Sequence, residues 1–334
     1  MPNTKNELIN DEKQEPISFR EKLDTKLEAK FDSSIRGKIV RDMITRVTND
    51  HLIGPKIKSG ELRKKVGINE APWKCPDFIS VETIEMPNFT MEYLTNNAIT
   101  ERDDKVILQL HGGGYVGMLH NAYRTFAGLY SEVSKGMHVL TIDYRVAPEH
   151  PYPAALEDAF MAYCWLLGNG YHSDQIIVAG DSAGGGLAMA LCHYLKDHNM
   201  MLPLGIIAMS PWTDLTASGP SYDENYDKDP LFGGTRDSLI YNKEYICEND
   251  PTNPYISPLF GDFRKFPPML IQVGGIEMLL SDSVSVASKA KDQGVKVKLS
   301  VYDGMFHVFQ MAGKILPESY NAWVEIGHFI HTIC

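Results

Sequence analysis

The sequence is poor in cysteine and has no long apolar run. No stretch of about 18 or more apolar residues occurs, so no transmembrane helix is predicted. The first residues, MPNTKNELINDEKQEP, lack the apolar segment of a secretory signal peptide. The cysteines are scattered, odd in number and without a C-x-x-C pair, which argues against a disulfide framework and a zinc site. They are Cys75, Cys164, Cys192, Cys247 and Cys334. We therefore expect a cytoplasmic protein with reduced thiols.

Basic residues are also fewer than acidic residues. The 32 Lys and Arg residues are outnumbered by 43 Asp and Glu residues, which gives a formal net charge of −11 at pH 7. Nucleic acid or an anionic membrane is therefore not expected as the main partner. The composition, 43% hydrophobic and 22% charged, is that of an ordinary globular protein. A length of 334 residues allows one large α/β domain with an insertion, or two small domains.

Beyond residue 80, apolar runs alternate with helical periodicity. The runs are continuous, as expected for parallel strands covered on both faces, and they span 105–111, 137–144, 175–180, 204–210, 268–274 and 295–302. Helical patterns between and after them include 154–167, 283–293 and 319–333. This alternation predicts an α/β fold with a mostly parallel, doubly wound sheet and helices on both faces. Residues 213–260, rich in Asp, Pro, Tyr and Gly, are interpreted as an insertion.

The N-terminal part has a different character. Residues 1–35 are highly charged and poor in large apolar side chains, which predicts a tail. A helix ending near Asn49 and a weaker one over 59–66 follow. The stripe of the first helix is Ile39, Val40, Met43, Ile44 and Val47. We expect both helices to lie over the domain rather than within its sheet. The predicted division is 1–75 for the tail and helical cap, and 76–334 for the α/β domain.

A glycine-rich turn, residues 180–184 (GDSAG), separates the apolar strand 176–178 from a helical pattern. A phosphate-binding loop is excluded because Gly186 and Leu187 stand where Lys and Ser or Thr are required. A dinucleotide fingerprint is excluded because Ser182 occupies the position of its second glycine. The pattern that fits is G-x-S-x-G, a strained turn that lifts a nucleophilic serine hydroxyl above the sheet. The alternative is a turn whose serine only caps the helix.

A nucleophilic serine needs a histidine base and an orienting acid, in the chain order Ser, Asp or Glu, His. His307 follows the last predicted strand and can reach the carboxyl edge of the sheet. The acid is expected after the preceding strand, where Glu277 comes first and Asp282 second. We predict Glu277 as the acid. Asp282 is the reserve, because it is well placed to cap the helix that begins near Ser283. The alternative for His307 is an ordinary surface histidine.

A second glycine run follows the first predicted strand. In the HGGG run that starts at His111, backbone N–H groups can approach a substrate oxygen where any side chain would intrude. The start of the helix after Ser182 offers further free N–H groups. A run of this type is typical of lipases and esterases. His111 itself is expected to hold the loop through hydrogen bonds.

Three segments together resemble a known family. HGGG at 111–114, DYRVAPEHPYPAALED at 143–158 and GDSAGGG at 180–186 are similar, in sequence and order, to the hormone-sensitive-lipase-like branch of the α/β-hydrolases, the bacterial family IV esterases. The resemblance covers roughly residues 80 to 310. It implies an α/β-hydrolase fold, an N-terminal helical cap and a serine carboxylic-ester hydrolase. One departure is that the family's acid is usually Asp, whereas this chain has Glu277 at the matching position.

The resemblance also implies roles for individual residues. Ser182 would be the nucleophile, with Glu277 and His307 completing the triad. The oxyanion hole would consist of the backbone N–H groups of Gly113, Gly114 and Ala183. The cap and the insertion would form the acyl and alcohol pocket, whose candidate substrate-binding residues are Tyr115, Trp212 and Leu215.

The predicted function is hydrolysis of short- to medium-chain acyl esters by a serine carboxylesterase, through an acyl-enzyme intermediate. This chemistry requires no metal and no other cofactor, and the expected partner is a small-molecule ester. A non-catalytic small-molecule-binding protein on the same fold is the alternative. The resemblance further implies a homodimer, formed through strand 295–302 and the helix around Trp323.

Overall fold

The computed structural model describes residues 29–100 and 104–334, and its described strands form one sheet. The strands are β1 (Ala29–Phe31), β2 (Ile79–Glu85), β3 (Thr90–Asn96), β4 (Val106–Leu110), β5 (His138–Asp143), β6 (Ile176–Asp181), β7 (Gly205–Met209), β8 (Met269–Gly274) and β9 (Val297–Tyr302). Their order is β1-β9-β8-β7-β6-β4-β5-β3-β2. The strand β3 is antiparallel to both of its neighbours, β2 and β5, and the other described strand pairs are parallel. The mostly parallel sheet predicted from the sequence is confirmed.

Helices cover both faces of the sheet. They are α1 (Ile35–Thr48), α2 (Gly54–Lys58), α3 (Glu61–Asn69), α4 (Asn121–Val133), α5 (Ala154–Gly168), α6 (Ala183–Asp197), α7 (Ser221–Glu224), α8 (Leu280–Asp292) and α9 (Pro317–Ile333). Along β6, Ile177 packs in the layer of α4 and α9, whereas Ile176 and Val178 pack in the layer of α5, α6 and α8. Both faces are buried, which explains the continuous apolar runs. Among the described residues, no helix combines the length and apolar character needed to cross a bilayer.

The sequence pattern does not predict three of the strands. β2 lies at one edge of the described sheet, and most of its side chains face solvent, so it lacks an apolar run. β3 joins it to β5. β1 pairs with Ser300–Tyr302 of β9, and the ring of Phe31 stacks on Tyr302 at 4.5 Å. The predicted tail therefore includes a strand, while its residues 1–28 lie outside the described part of the chain. The same pairing occupies part of the β9 edge that was expected at a dimer interface; the homodimer stays a prediction.

The N-terminal helices differ in detail from the expectation. The weaker helical pattern over 59–66 corresponds to α3, and the short helix α2 that precedes it was not predicted. Of the predicted stripe on α1, Val40 and Ile44 pack against the core. Ile39, Met43 and Val47 are more than half exposed, because the contact covers only part of that face. The division of the chain at residue 75 stays a prediction.

Candidate active site

Ser182 stands at the sharp turn between β6 and α6. Its backbone has a φ of +53° and a ψ of −121°, a conformation that L-residues rarely adopt, and its N–H donates to the carbonyl oxygen of Met209 at 2.9 Å. A Cβ at Gly184 would lie 2.0 Å from the carbonyl oxygen of Leu110, so only glycine fits there. Within the described residues the Ser182 side chain makes no capping bond to α6. The turn therefore presents the hydroxyl at the carboxyl edge of the sheet.

The structure brings Ser182, His307 and Glu277 into one hydrogen-bonded chain. His307 Nε2 lies 2.9 Å from Ser182 Oγ, and His307 Nδ1 lies 2.8 Å from Glu277 Oε2. All three side chains are buried. A carboxylate can only accept, so Nδ1 carries the proton and Nε2 is free to accept from the serine hydroxyl. This is the arrangement in which a histidine can act as a general base.

Burial is the largest cause of the pKa shifts of His307 and Glu277. It lowers the pKa of His307, and the Arg63 guanidinium lowers it further, against the opposing carboxylate of Asp229. It raises the pKa of Glu277, while hydrogen bonds from Ser210 and from the backbone of Gly274 act in the opposite direction. His307 is therefore an uncharged base at neutral pH. Glu277, when ionised, is stabilised by donors rather than by water.

Asp282, the reserve acid, lies elsewhere. Its Oδ2 accepts from the backbone N–H groups of Thr213 and Asp214, both at 2.8 Å. It thereby fixes the start of the 213–260 segment to α8. Glu277 is the carboxylate that contacts His307.

Ser210 is a site residue that the sequence interpretation missed. Its Oγ donates to Glu277 Oε1 at 2.7 Å and accepts from the backbone N–H of Val308 at 3.1 Å. One hydroxyl thus ties the acid to the residue that follows His307. Ser210 itself has a φ of +47°. The available signal was its position directly after β7, at the same carboxyl edge of the sheet as Ser182.

The 213–260 segment also makes hydrogen bonds to the turn that carries Glu277. Asp229 Oδ2 accepts from the backbone N–H of Met278 at 2.8 Å, and the Asn225 amide donates to the carbonyl oxygen of Glu277 at 2.8 Å. The ring of Phe232 meets the ring of His307 edge-on at 4.7 Å. No local pattern in the sequence marks these contacts, because they join residues about fifty to seventy-five positions apart in the chain.

The glycine loop after β4 lies against the start of α6. Gly113 and Gly114 have φ values of +111° and +66°. The N–H of Gly112 donates to Asp181 Oδ1 at 3.1 Å, which joins the loop to the residue before Ser182. Ala183 is the first residue of α6, so its N–H has no acceptor within the helix. The oxyanion role of Gly113, Gly114 and Ala183 stays a prediction.

Residues of the 143–158 segment brace this loop. The Tyr144 hydroxyl donates to the carbonyl oxygen of His111 at 2.6 Å, and the two rings stack at 4.0 Å. His111 Nδ1 lies 2.7 Å from the carbonyl oxygen of Gly112, and burial lowers the pKa of this histidine to about 4. An uncharged His111 is thus part of the loop's support. Arg145 pairs with the buried carboxylate of Asp158 at 2.7 Å.

The candidate pocket residues are packed in the core. Tyr115 is fully buried and stacks on Tyr245 at 3.8 Å. Trp212 and Leu215 are 2% and 7% exposed and belong to the same cluster. Their side chains border the loops of the site, and their contact with substrate stays a prediction.

The chain is similar to known hydrolases over most of its length. Residues 107–311 match the family model described as the alpha/beta hydrolase fold. An acetyl-hydrolase of Streptomyces hygroscopicus is 36% identical over 231 residues, 69% of this chain and 77% of that protein. An esterase from the bacterial hormone-sensitive lipase family gives a TM-score of 0.79 at 35% identity, over 90% of this chain and 98% of that one. The protein EstE5, whose crystal was soaked with p-nitrophenyl butyrate, gives a TM-score of 0.80 at 33% identity, over 90% of this chain and 99% of that one.

Proposed function

This chain belongs to the hormone-sensitive-lipase-like, family IV esterases of the α/β-hydrolase superfamily and is a carboxylic-ester hydrolase, and we propose that it cleaves short- to medium-chain acyl esters through an acyl-enzyme intermediate. The observation that carries the mechanism is the continuous contact from Ser182 through His307 to Glu277. The preference for short acyl chains is supported by two relatives, the acetyl-hydrolase of Streptomyces hygroscopicus and EstE5, whose crystal was soaked with p-nitrophenyl butyrate.

In the first half-reaction, His307 Nε2 takes the proton of Ser182 as the serine oxygen attacks the ester carbonyl. Glu277 holds the imidazole in the required tautomer and stabilises the imidazolium that forms. The tetrahedral oxyanion accepts from the N–H groups of Gly113 and Ala183, together with that of Gly114. Each such donor lowers the barrier by about 2.7–4 kcal/mol in a comparable oxyanion hole.

The alcohol leaves with the proton that His307 returns to it, and the acyl group remains as an ester of Ser182. In the second half-reaction, His307 removes a proton from water, which attacks the acyl carbonyl. The carboxylic acid leaves as the proton returns to Ser182. Every proton passes through Nε2, and water is the second substrate.

The test is a p-nitrophenyl ester series from acetate to dodecanoate, assayed with wild type, Ser182→Ala and the exposed control Ser80→Ala. We expect the highest kcat/KM on the shorter esters and a fall in kcat of roughly 10⁶-fold in Ser182→Ala only. An optimum at dodecanoate would contradict the acyl-chain proposal. Full activity in Ser182→Ala would refute the nucleophile. An inactive wild type would restore the alternative of a binding protein.

The acyl-enzyme intermediate is tested by partitioning. With methanol present, acetates of different alcohols should give the same ratio of methyl acetate to acetic acid, because all pass through acetylated Ser182. Ratios that change with the leaving group would indicate direct attack by water.

A further inference from the structure

Helix α3 of the N-terminal region packs closely along the glycine loop of the active site. A Cβ at Gly60, the residue before α3, would lie 2.8 Å from Cδ1 of Leu239. The same leucine side chain would lie 2.6 Å from a Cβ at Gly114. At the other end of the helix, a Cβ at Gly67 would lie 2.9 Å from Cβ of Met118. Because Gly60 and Gly67 have no side chains, α3 can pack against Leu239 and against Met118 at the end of the loop.

Arg63 lies on the face of α3 that carries these contacts. It is three positions after Gly60 and four before Gly67, a spacing that places all three on one side of the helix. Its side chain is half-buried. On the same face, Lys64 pairs with Glu149 of the bracing segment at 3.0 Å. Arg63 therefore lies on the side of α3 that packs against Leu239 and Met118, next to the glycine loop.

The electrostatics of the site agree with this placement. Burial lowers the pKa of His307, and Arg63 is the next largest cause of that lowering. Burial raises the pKa of Asp181, beside the nucleophile, to about 7, and Arg63 opposes this shift. Arg63 likewise opposes the rise that burial causes in the pKa of Tyr123. One cation therefore acts on His307, Asp181 and Tyr123.

Among the described residues, the Asp181 carboxyl interacts with this cation electrostatically but without a direct contact. No hydrogen bond or ion pair within that part of the chain joins Arg63 to a carboxylate, whereas its neighbour Lys65 pairs with Glu61 at 2.6 Å. The buried Asp181 carboxyl accepts from the N–H of Gly112 instead. A half-buried guanidinium facing an uncharged base is a site that an anionic group can complete.

We propose that Arg63 forms an anion subsite beside the triad and that the enzyme prefers esters whose acyl or alcohol part ends in a carboxylate, such as half-esters of dicarboxylic acids. The planar guanidinium can hold such a carboxylate through two parallel hydrogen bonds. This inference rests on the proposed ester hydrolysis at Ser182. It adds the charge of the substrate, which the triad alone does not define.

The test compares p-nitrophenyl hexanoate with mono-p-nitrophenyl adipate, which have the same leaving group and the same acyl length and differ in one terminal carboxylate. Wild type is assayed beside Arg63→Gln, Arg63→Glu and the exposed control Lys65→Gln. We expect Arg63→Gln to lower kcat/KM on the adipate half-ester about tenfold to a hundredfold, the contribution of a charge-assisted contact. The hexanoate rate should change less than about threefold, and Arg63→Glu should penalise the adipate ester further. Added salt should reduce the preference in wild type and in Lys65→Gln but not in Arg63→Gln.

A parallel pair, butyl acetate and 4-acetoxybutanoate, places the carboxylate on the alcohol side. A preference lost in Arg63→Gln on either pair supports the subsite and assigns its side. Equal losses on charged and neutral esters would show that Arg63 only holds α3 and would overturn the proposal, as would no preference on both pairs. Calorimetric binding of monomethyl adipate to Ser182→Ala, with and without Arg63→Gln, decides the subsite even if wild type hydrolyses nothing.

Discussion

Replacing Ser210 by Ala should disturb the position of Glu277 relative to His307 while leaving both of these residues themselves unsubstituted. The change removes the hydroxyl that donates to Glu277 Oε1 at 2.7 Å and accepts from the N–H of Val308 at 3.1 Å. A hydrogen bond to a charged group contributes about 1.5–3 kcal/mol, and a buried N–H left without a partner costs about 1–3 kcal/mol. The loss of the first bond makes the ionised form of Glu277 less stable, and that negative charge is what stabilises the His307 imidazolium. We therefore expect kcat to fall about tenfold to a hundredfold, with little change in KM.

The assay is steady-state hydrolysis of p-nitrophenyl butyrate, with urea unfolding measured on the same preparations. Ser300→Ala is the matched control, because Ser300 is also buried and donates to a carboxylate, Glu325, at the same distance of 2.7 Å. Both variants should lose stability, by about 1–3 kcal/mol. Only Ser210→Ala should lose kcat. Equal kcat in the two variants would refute the positioning role of Ser210.

Three further predictions follow from the geometry of the site. Because burial lowers the pKa of His307, kcat/KM should rise with pH through an acid limb below the usual histidine value of about 6.5; a limb at or above that value, with the fold intact by circular dichroism, would contradict an uncharged buried base. Glu277→Gln should lower kcat by about 10⁴-fold, as loss of the orienting acid does in other triads, whereas Asp282→Asn should lower it far less; the reverse order would reassign the acid. Gly184→Ala should lower the midpoint of thermal unfolding sharply or prevent folding, because its Cβ would lie 2.0 Å from the carbonyl oxygen of Leu110. The control Gly168→Ala, whose Cβ meets nothing within 4 Å, should leave the midpoint unchanged. Equal midpoints in the two variants would contradict the steric argument.

Short-range patterns in the sequence predicted the central strands and the turn that carries Ser182. The central strands were predictable because a parallel strand buried on both faces must be apolar throughout. The edge strand β2 was not, since its side chains mostly face solvent. β1 has three residues, and it is a strand only because Ser300–Tyr302 of β9 offers it hydrogen-bonding partners.

The active site divides in the same way. Sequence by itself determined the turn at Ser182, because a strained strand-to-helix turn needs small residues around the serine, and it determined the loop after His111 for a similar steric reason. Only the tertiary structure shows that Glu277 contacts His307 and that Asp282 contacts the backbone of Thr213 and Asp214. Both follow β8 within a few residues, and the direction of each carboxylate depends on which backbone groups it meets.

The supporting groups were decided by the tertiary structure alone. Ser210 meets Glu277, and Asp229 meets Met278, across about fifty residues or more of chain. Helix α3, which carries Arg63, comes to lie beside the glycine loop because Gly67 packs against Met118. Steric requirements of a turn act between neighbours in sequence and leave a local signature. Hydrogen bonds and electrostatic fields act between neighbours in space, and these exist only once the chain has folded.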